Sequence, residues 1–221
     1  MTEKETYMNH KQILIEAGKK MVNDELTIET WGNISIRDKE TQLVYMTPSA
    51  MDYNSIKEDD IVVCQLDGTI VEGKRKPTIE TNMHLGIYNN RPDVNAVIHT
   101  HPIYSLVFGV LREDIPPIID EAAQILGDCV PITEYALPGS DHLAQVCVDL
   151  LGKNRKAIVM ASHGALCVGE DIDMAFKVSA VLEMTAKVYT LARSIGTPKT
   201  LSSEDIQTMH HYAYNNYGQG K

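Results

Sequence analysis

The sequence has no long apolar run. No stretch approaches the ~18 continuous apolar residues of a membrane-spanning helix, and the polar segment Met1–Lys11 lacks the apolar core of a signal peptide. It has no linker either: no Pro/Gly/Ser-rich stretch, low-complexity segment or solenoid-period repeat divides the 221 residues. One domain spanning residues 1–221 is therefore expected, with 43% hydrophobic residues to fill its core. Cysteine is sparse. Cys64, Cys129, Cys147 and Cys167 form no C-x-x-C pair, and each lies in or beside an apolar run. They read as buried free thiols of a reducing compartment, and hence of a cytoplasmic protein. Positive charge is in deficit, with 20 basic residues against 30 acidic and a net charge of -10, which speaks against nucleic acid or an anionic membrane as partner. The basic cluster Lys74-Arg75-Lys76 reads as a solvated loop. Neither a Walker loop nor a G-x-G-x-x-G is present, so no nucleotide site is expected.

What is present is a mixture of helical and strand periods. Ile13, Leu14, Ala17, Met21 and Val22 sit at helical spacing from about His10 to Val22, with Asn9 as the expected N-cap. Trp31–Arg37 alternates like a strand, and Leu43–Met46 follows it after a turn over Asp38–Thr41. Ile61–Leu66 and Thr69–Val71 read as a hairpin about Asp67-Gly68. Helices are expected over Glu80–Tyr88, from Pro102 through Val110, over Glu121–Leu126, over Leu143–Leu151 with Ser140 as cap, over Asp171–Ser194, and from Ser202 to about Tyr212 with a partial capping box at Ser203. Val94–Thr100, Val130–Thr133, Ala157–Ala161 and Ala165–Val168 read as further strands. Hairpins near the start argue against a purely parallel sheet. The expected class is α/β in the broad sense: a mixed, mainly antiparallel central sheet with helices on both faces.

The strongest chemical signal is His99-Thr100-His101. Residues i and i+2 of a strand share a face, so the two imidazoles can converge on one ion at the strand's end; two surface histidines at a strand terminus are the plain alternative. A catalytic zinc site takes three protein ligands and keeps one position open. His163, in Met160-Ala161-Ser162-His163-Gly164, is the best third ligand, because a polar residue where an apolar strand breaks has little packing reason to be there. His84 reads as a partly exposed helix histidine, His142 as a surface residue, and His10, His210 and His211 as residues of polar terminal contexts. Glu80 is the candidate acid/base. Alone it would be dipole compensation in a first helical turn, but beside a metal a carboxylate can be tuned to move protons. Asn33 after Gly32, and Ser49 in Thr47-Pro48-Ser49, can offer amides and hydroxyls to a phosphate, or serve simply as turn residues.

Taken together, these segments resemble the class II aldolase/adducin head family, most of all its L-fuculose-phosphate aldolase branch. The matching pieces run in the family's order: Gly32-Asn33-Ile34-Ser35, Thr47-Pro48-Ser49, Lys76-Pro77-Thr78-Ile79-Glu80, the run Arg91 to His101, and His163-Gly164. The resemblance implies a three-layer fold and one zinc ion per subunit on His99, His101 and His163, with Glu80 as a resting fourth ligand that becomes the acid/base. It implies Asn33, Ser49 and Thr78 around a substrate phosphate, and a homotetramer with active sites between subunits into which Tyr217 reaches. The implied activity is reversible cleavage of a ketose 1-phosphate, L-fuculose 1-phosphate or similar, to dihydroxyacetone phosphate and an aldehyde such as L-lactaldehyde. A 4-epimerase, dehydratase or decarboxylase on the same scaffold is the alternative. The chain departs from the branch at Ala50, where glycine is usual, at Thr78-Ile79, where two serines are usual, and at Asp120-Glu121, where a tyrosine is usual. Glu80 separates it from the 4-epimerase branch, which carries Asp there. A closed structural zinc site would favour cysteine ligands, and a non-enzymatic adducin-like head would lack the histidines.

Overall fold

A computed structural model of the chain describes residues 3–216. In order these form α1 (Glu3–Asn23), β1 (Asn33–Arg37), β2 (Val44–Met46), a 3-10 turn (Glu58–Asp60), β3 (Val62–Cys64), β4 (Ile70–Glu72), α2 (Thr81–Asn90), β5 (Ala96–Thr100), α3 (Ile103–Leu111), α4 (Asp120–Ile125), α5 (Asp141–Leu151), β6 (Ala157–Met160), β7 (Gly164–Gly169), α6 (Ile172–Ile195) and α7 (Ser203–Asn216). The seven strands make one sheet in the order β4-β3-β2-β1-β5-β7-β6, and every neighbouring pair is antiparallel.

Strand alternation divides the sheet's side chains between two helical layers. Val44, Met46, Val62, Cys64, Val97, Ile158, Met160, Leu166 and Val168 point to one face and pack against α2 and α5 through Met83, Ile87, Leu143 and Cys147. The residues between them point to the other. There Ile34, Ile36, Tyr45, Val63, Ala96 and Ile98 meet Leu14, Ala17 and Met21 of α1. Further along that face Ala157, Val159, Ala165 and Cys167 meet Phe108 of α3 and Val178, Leu182 and Ala186 of α6. Each Leu- or Ile-sized side chain so buried contributes about 1.5–3 kcal/mol. The three-layer arrangement expected from the sequence is therefore present, with a sheet that is wholly antiparallel.

Four local expectations fail. The first helix begins at Glu3, so Asn9 lies inside it rather than capping it; the residues upstream are good helix formers. Val130–Thr133 makes no strand. It gives two isolated bridges, Ile115 to Val130 and Ile132 to Val159, because Pro131 between them has no N–H for a continuous ladder. The last helix is capped by Ser202 rather than Ser203: the Ser202 hydroxyl accepts from the Asp205 N–H at 3.1 Å. Cys129 is only half-buried, unlike Cys64, Cys147 and Cys167, though all four are free thiols.

Candidate active site

The site lies on the α2/α5 side of the sheet, at the ends of β1 and β5. His99 takes the face of Val97, so its ring enters the helical layer, and His101 follows two residues later just past the strand. Helix α3 starts immediately after. Its N-cap, Pro102, offers no side-chain bond, and Glu183 of α6 substitutes by accepting from the N–H groups of Tyr104 and Ser105 at 2.8 Å each. His163 sits in the turn joining β6 and β7. That turn is held by the Ser162 N–H donating to Gly109 O at 3.1 Å and by Arg112 Nη2 donating to Ser162 Oγ at 3.0 Å.

Two glycines permit the convergence. A Cβ on Gly164 would lie 2.4 Å from Thr100 O and 2.7 Å from His99 Cε1, so any side chain there would displace the histidine pair. Gly32 has φ +74°, and a Cβ would lie 2.6 Å from His99 O.

Among the described residues, His99, His101 and His163 are the group able to hold a metal ion, with ligand atoms within 4.8 Å of one another. His101 Nε2 is 3.0 Å from His99 Nε2. Glu80 closes the cluster: Oε2 is 3.2 Å from His99 Nε2 and Oε1 is 3.3 Å from His163 Nε2. Glu80 is the N-cap residue of α2, yet its side chain makes no capping bond. Glu80 is 4% exposed, and its carboxylate faces the histidines.

Protonation states follow from the surroundings. The carbonyl of Ala165 can only accept, so His99 Nδ1–H donates to it at 2.9 Å and Nε2 is left bare toward the cluster. Burial pushes His99 down to about 4 and His163 to about 4. Burial, and then the neighbouring His99 and His163, push His101 to about 3. All three are neutral at pH 7, which is the metal-binding form. A bare imidazole nitrogen 3.2 Å from a carboxylate oxygen brings lone pairs face to face, which is unfavourable unless a cation lies among them. Glu80 Oε1 and His163 Nδ1 are also buried without a hydrogen-bond partner among the described residues. The donor set thus fits a divalent cation, and His/carboxylate sets accept several.

A pocket of about 360 Å³ opens onto the cluster, lined by Trp31, Asn33, Ser49, Thr78, Ile79 and Pro138 beside the histidines and Glu80. Asn33, Ser49 and Thr78 thus line one pocket. The Thr78 hydroxyl accepts from the Glu80 N–H at 3.2 Å. Ala50, also on the wall, has φ +54°, the left-handed conformation that glycine adopts freely. Ile79 is 66% exposed at the mouth, and Trp31 stacks on His101 with ring centroids 6.2 Å apart. Asp120 and Glu121 open α4 and do not line this pocket. Tyr217 lies outside the described residues. His142 pairs with Glu134 on the surface, as expected. His84 does not match its reading. It is 0% exposed, with Nε2 2.6 Å from Asn33 Oδ1 and Nδ1 2.6 Å from Ser35 Oγ. Its signal was its spacing, one helical turn after Glu80.

The fold and this site define a class. Residues 12–190 match the family described as Class II Aldolase and Adducin N-terminal domain, and the chain belongs to that family. Within it, the chain is 35% identical over 209 residues to 5-deoxy-D-ribulose 1-phosphate aldolase of Bacillus thuringiensis serovar kurstaki, covering 95% of this chain and 97% of that one. A solved L-fuculose 1-phosphate aldolase superposes with a TM-score of 0.89 at 39% identity, over 92% of this chain and 95% of that one. L-ribulose-5-phosphate 4-epimerase UlaF of Salmonella paratyphi B is 31% identical over 195 residues, 84% of this chain and 86% of that protein. The family and its aldolase relatives support a lyase enzyme. No helix among the described residues is long and apolar enough to cross a membrane.

Proposed function

We propose that the protein is a zinc-dependent aldolase that reversibly cleaves a 5- or 6-deoxy-ketose 1-phosphate to dihydroxyacetone phosphate and a short aldehyde. The observation that carries this reading is the buried Glu80 carboxylate wedged against His99 and His163. His99, His101 and His163 hold the ion, with Glu80 as the resting fourth ligand. The ion supplies Lewis acidity for negative charge developing on substrate oxygen.

The residues divide the remaining work. Ser49, Thr78 and the free amide hydrogen of Asn33 receive the phosphate near the N-terminal end of α2, where helix N–H groups favour an anion. Among the described residues lining the pocket there is no Lys or Arg, so these neutral donors carry the contact. Ile79 supplies none, which leaves one hydrogen bond fewer than a serine there would. As the C3–C4 bond breaks, the C4 hydroxyl proton passes to the Glu80 carboxylate, the hydroxyl oxygen's electron pair closes the aldehyde carbonyl, the electrons of the broken bond stay at C3, and Glu80 returns the proton to C3. Tyr217 is the proposed partner of the aldehyde oxygen. Trp31 and Ile79 line the pocket yet are 54% and 66% exposed, which supports a subunit contact at the site, and the proposed assembly is a homotetramer with sites between subunits. The buried free thiols support a reducing, cytoplasmic setting.

The test is to incubate the zinc-loaded protein with L-fuculose 1-phosphate and with 5-deoxy-D-ribulose 1-phosphate, and to assay dihydroxyacetone phosphate. Release from either supports the reading. No release, together with epimerisation of L-ribulose 5-phosphate, favours the second reading that the similarity to UlaF raises.

A further inference from the structure

The face that β1 turns toward α2 is polar where the strands around it are apolar. Asn33, Ser35 and Arg37 point there at i, i+2 and i+4, and all are buried. Opposite them, α2 presents Glu80, His84 and Tyr88 at i, i+4 and i+8. The repeats nearly match: four helical residues rise about 6 Å and two strand residues about 6.6 Å. The side chains therefore interleave. Asn33 Nδ2 donates to Glu80 Oε2 at 2.8 Å. His84 bridges Asn33 Oδ1 and Ser35 Oγ at 2.6 Å each. Ser35 Oγ lies 2.8 Å from the Tyr88 hydroxyl. At the far end Arg37 donates to the carbonyls of Tyr88 and Val94, fixing the end of α2.

Every proton in this chain is determined by its ends. A carboxylate cannot donate, so Asn33 must face Glu80 with its NH2 and His84 with its carbonyl. His84 must then carry its proton on Nε2, and its bare Nδ1 accepts from Ser35. The Ser35 oxygen in turn accepts from Tyr88.

We propose that His84 is a positioning residue: held by Ser35 in the Nε2–H tautomer, it commits the Asn33 carboxamide to present NH2 to Glu80 and so fixes the carboxylate at the metal cluster. Without His84, the Asn33 carbonyl loses its partner and the carboxamide is free to rotate, so the NH2 that fixes the Glu80 carboxylate is no longer held in place. The inference rests on the reading of Glu80 as resting metal ligand and proton carrier.

The test compares Zn2+ affinity, by competition with a chromogenic chelator, in the full-length wild type, His84→Leu, His84→Gln, Glu80→Gln and the double variant Glu80→Gln/His84→Leu. Leu fills the volume without a donor, whereas Gln keeps one donor and one acceptor. Loss of a supporting contact weakens metal binding about 10- to 100-fold. His84→Leu is expected at the low end, about tenfold, with His84→Gln restored to within about threefold. The double variant should bind no more weakly than Glu80→Gln alone, because coupled residues are non-additive. In the wild type, 15N shifts should show His84 as the Nε2–H tautomer. Wild-type affinity in His84→Leu, an equal loss in the Glu80→Gln background, or an Nδ1–H tautomer overturns the proposal. Should His84→Leu fail to fold, Ser35→Ala, which removes only the oxygen holding His84, takes its place in the same cycle. If Glu80→Gln itself binds zinc like the wild type, the reading of Glu80 as a ligand fails first, and this inference with it.

Discussion

Asn33 and His99 are direct partners across β1 and β5, and both reach the same atom, Glu80 Oε2, at 2.8 and 3.2 Å. One oxygen is thus gripped by an amide that donates to it and faced by a bare imidazole that cannot. That asymmetry turns the Glu80 carboxylate toward the histidine cluster rather than into a helix cap. It also makes the site depend on strand register, since a one-residue slip of β1 against β5 would turn Asn33 to the other face.

The close approach of β7 to the histidine pair should be intolerant of a side chain. Gly164→Ala places a Cβ 2.4 Å from Thr100 O and 2.7 Å from the His99 ring. Overpacking of this kind costs about 1–3 kcal/mol, and metal content should fall with it. A Cβ on Gly196 meets nothing within 4 Å, so Gly196→Ala is the near-neutral control. Urea titrations and metal analysis of the two variants check the contrast.

Ala50 is a departure whose consequence can be measured directly. Its φ of +54° puts an L side chain in a conformation that favours glycine by about 1–2 kcal/mol. Part of that gain is lost to the greater freedom of glycine in the unfolded chain, about 0.4–1 kcal/mol. Ala50→Gly should therefore leave stability unchanged or raise it by up to about 1 kcal/mol by urea titration, with KM for the sugar phosphate little altered. A clear loss of stability would contradict the backbone argument.

His84 should leave a mark on acid stability. Burial holds it at about 3 in the folded protein, against the usual value near 6.5 in the unfolded chain. Below about pH 6.5 the unfolded chain therefore takes up a proton that the folded protein refuses, and stability falls as pH drops toward 3. The slope from this one group is about 1.4 kcal/mol per pH unit. In His84→Gln, at equal metal loading, the pH dependence between 6 and 4 should be shallower by that amount. Parallel curves would show that His84 does not titrate as described.

The histidines able to hold a metal ion were legible in the sequence because their signals are local. His99 and His101 share a face by the two-residue strand period, and His163 marks a break between two apolar strands. The sheet's faces were legible for the same reason. His84 was not, because helical periodicity assigns a polar residue between Met83 and Leu85 to a wet face. Its partners, Asn33 and Ser35, lie some 50 positions away and become neighbours only when α2 lies along β1. The Val130–Thr133 segment carried a strand's composition, and Pro131 decided otherwise through the missing donor. The order β1-β5-β7, which brings Asn33, the His99/His101 segment and the turn bearing His163 together, rests on long-range pairing that no short window contains.

The central claim is that Glu80 moves the proton at the carbon beside the substrate carbonyl while three histidines hold the ion. The most direct measurement follows deuterium exchange into C3 of dihydroxyacetone phosphate by NMR, for zinc-saturated wild type and Glu80→Gln. Positioned acid/base groups contribute about 10²–10⁴-fold. Glu80→Gln should keep one zinc per chain at saturating zinc and exchange at least ~100-fold more slowly. Undiminished exchange with zinc in place would contradict the account.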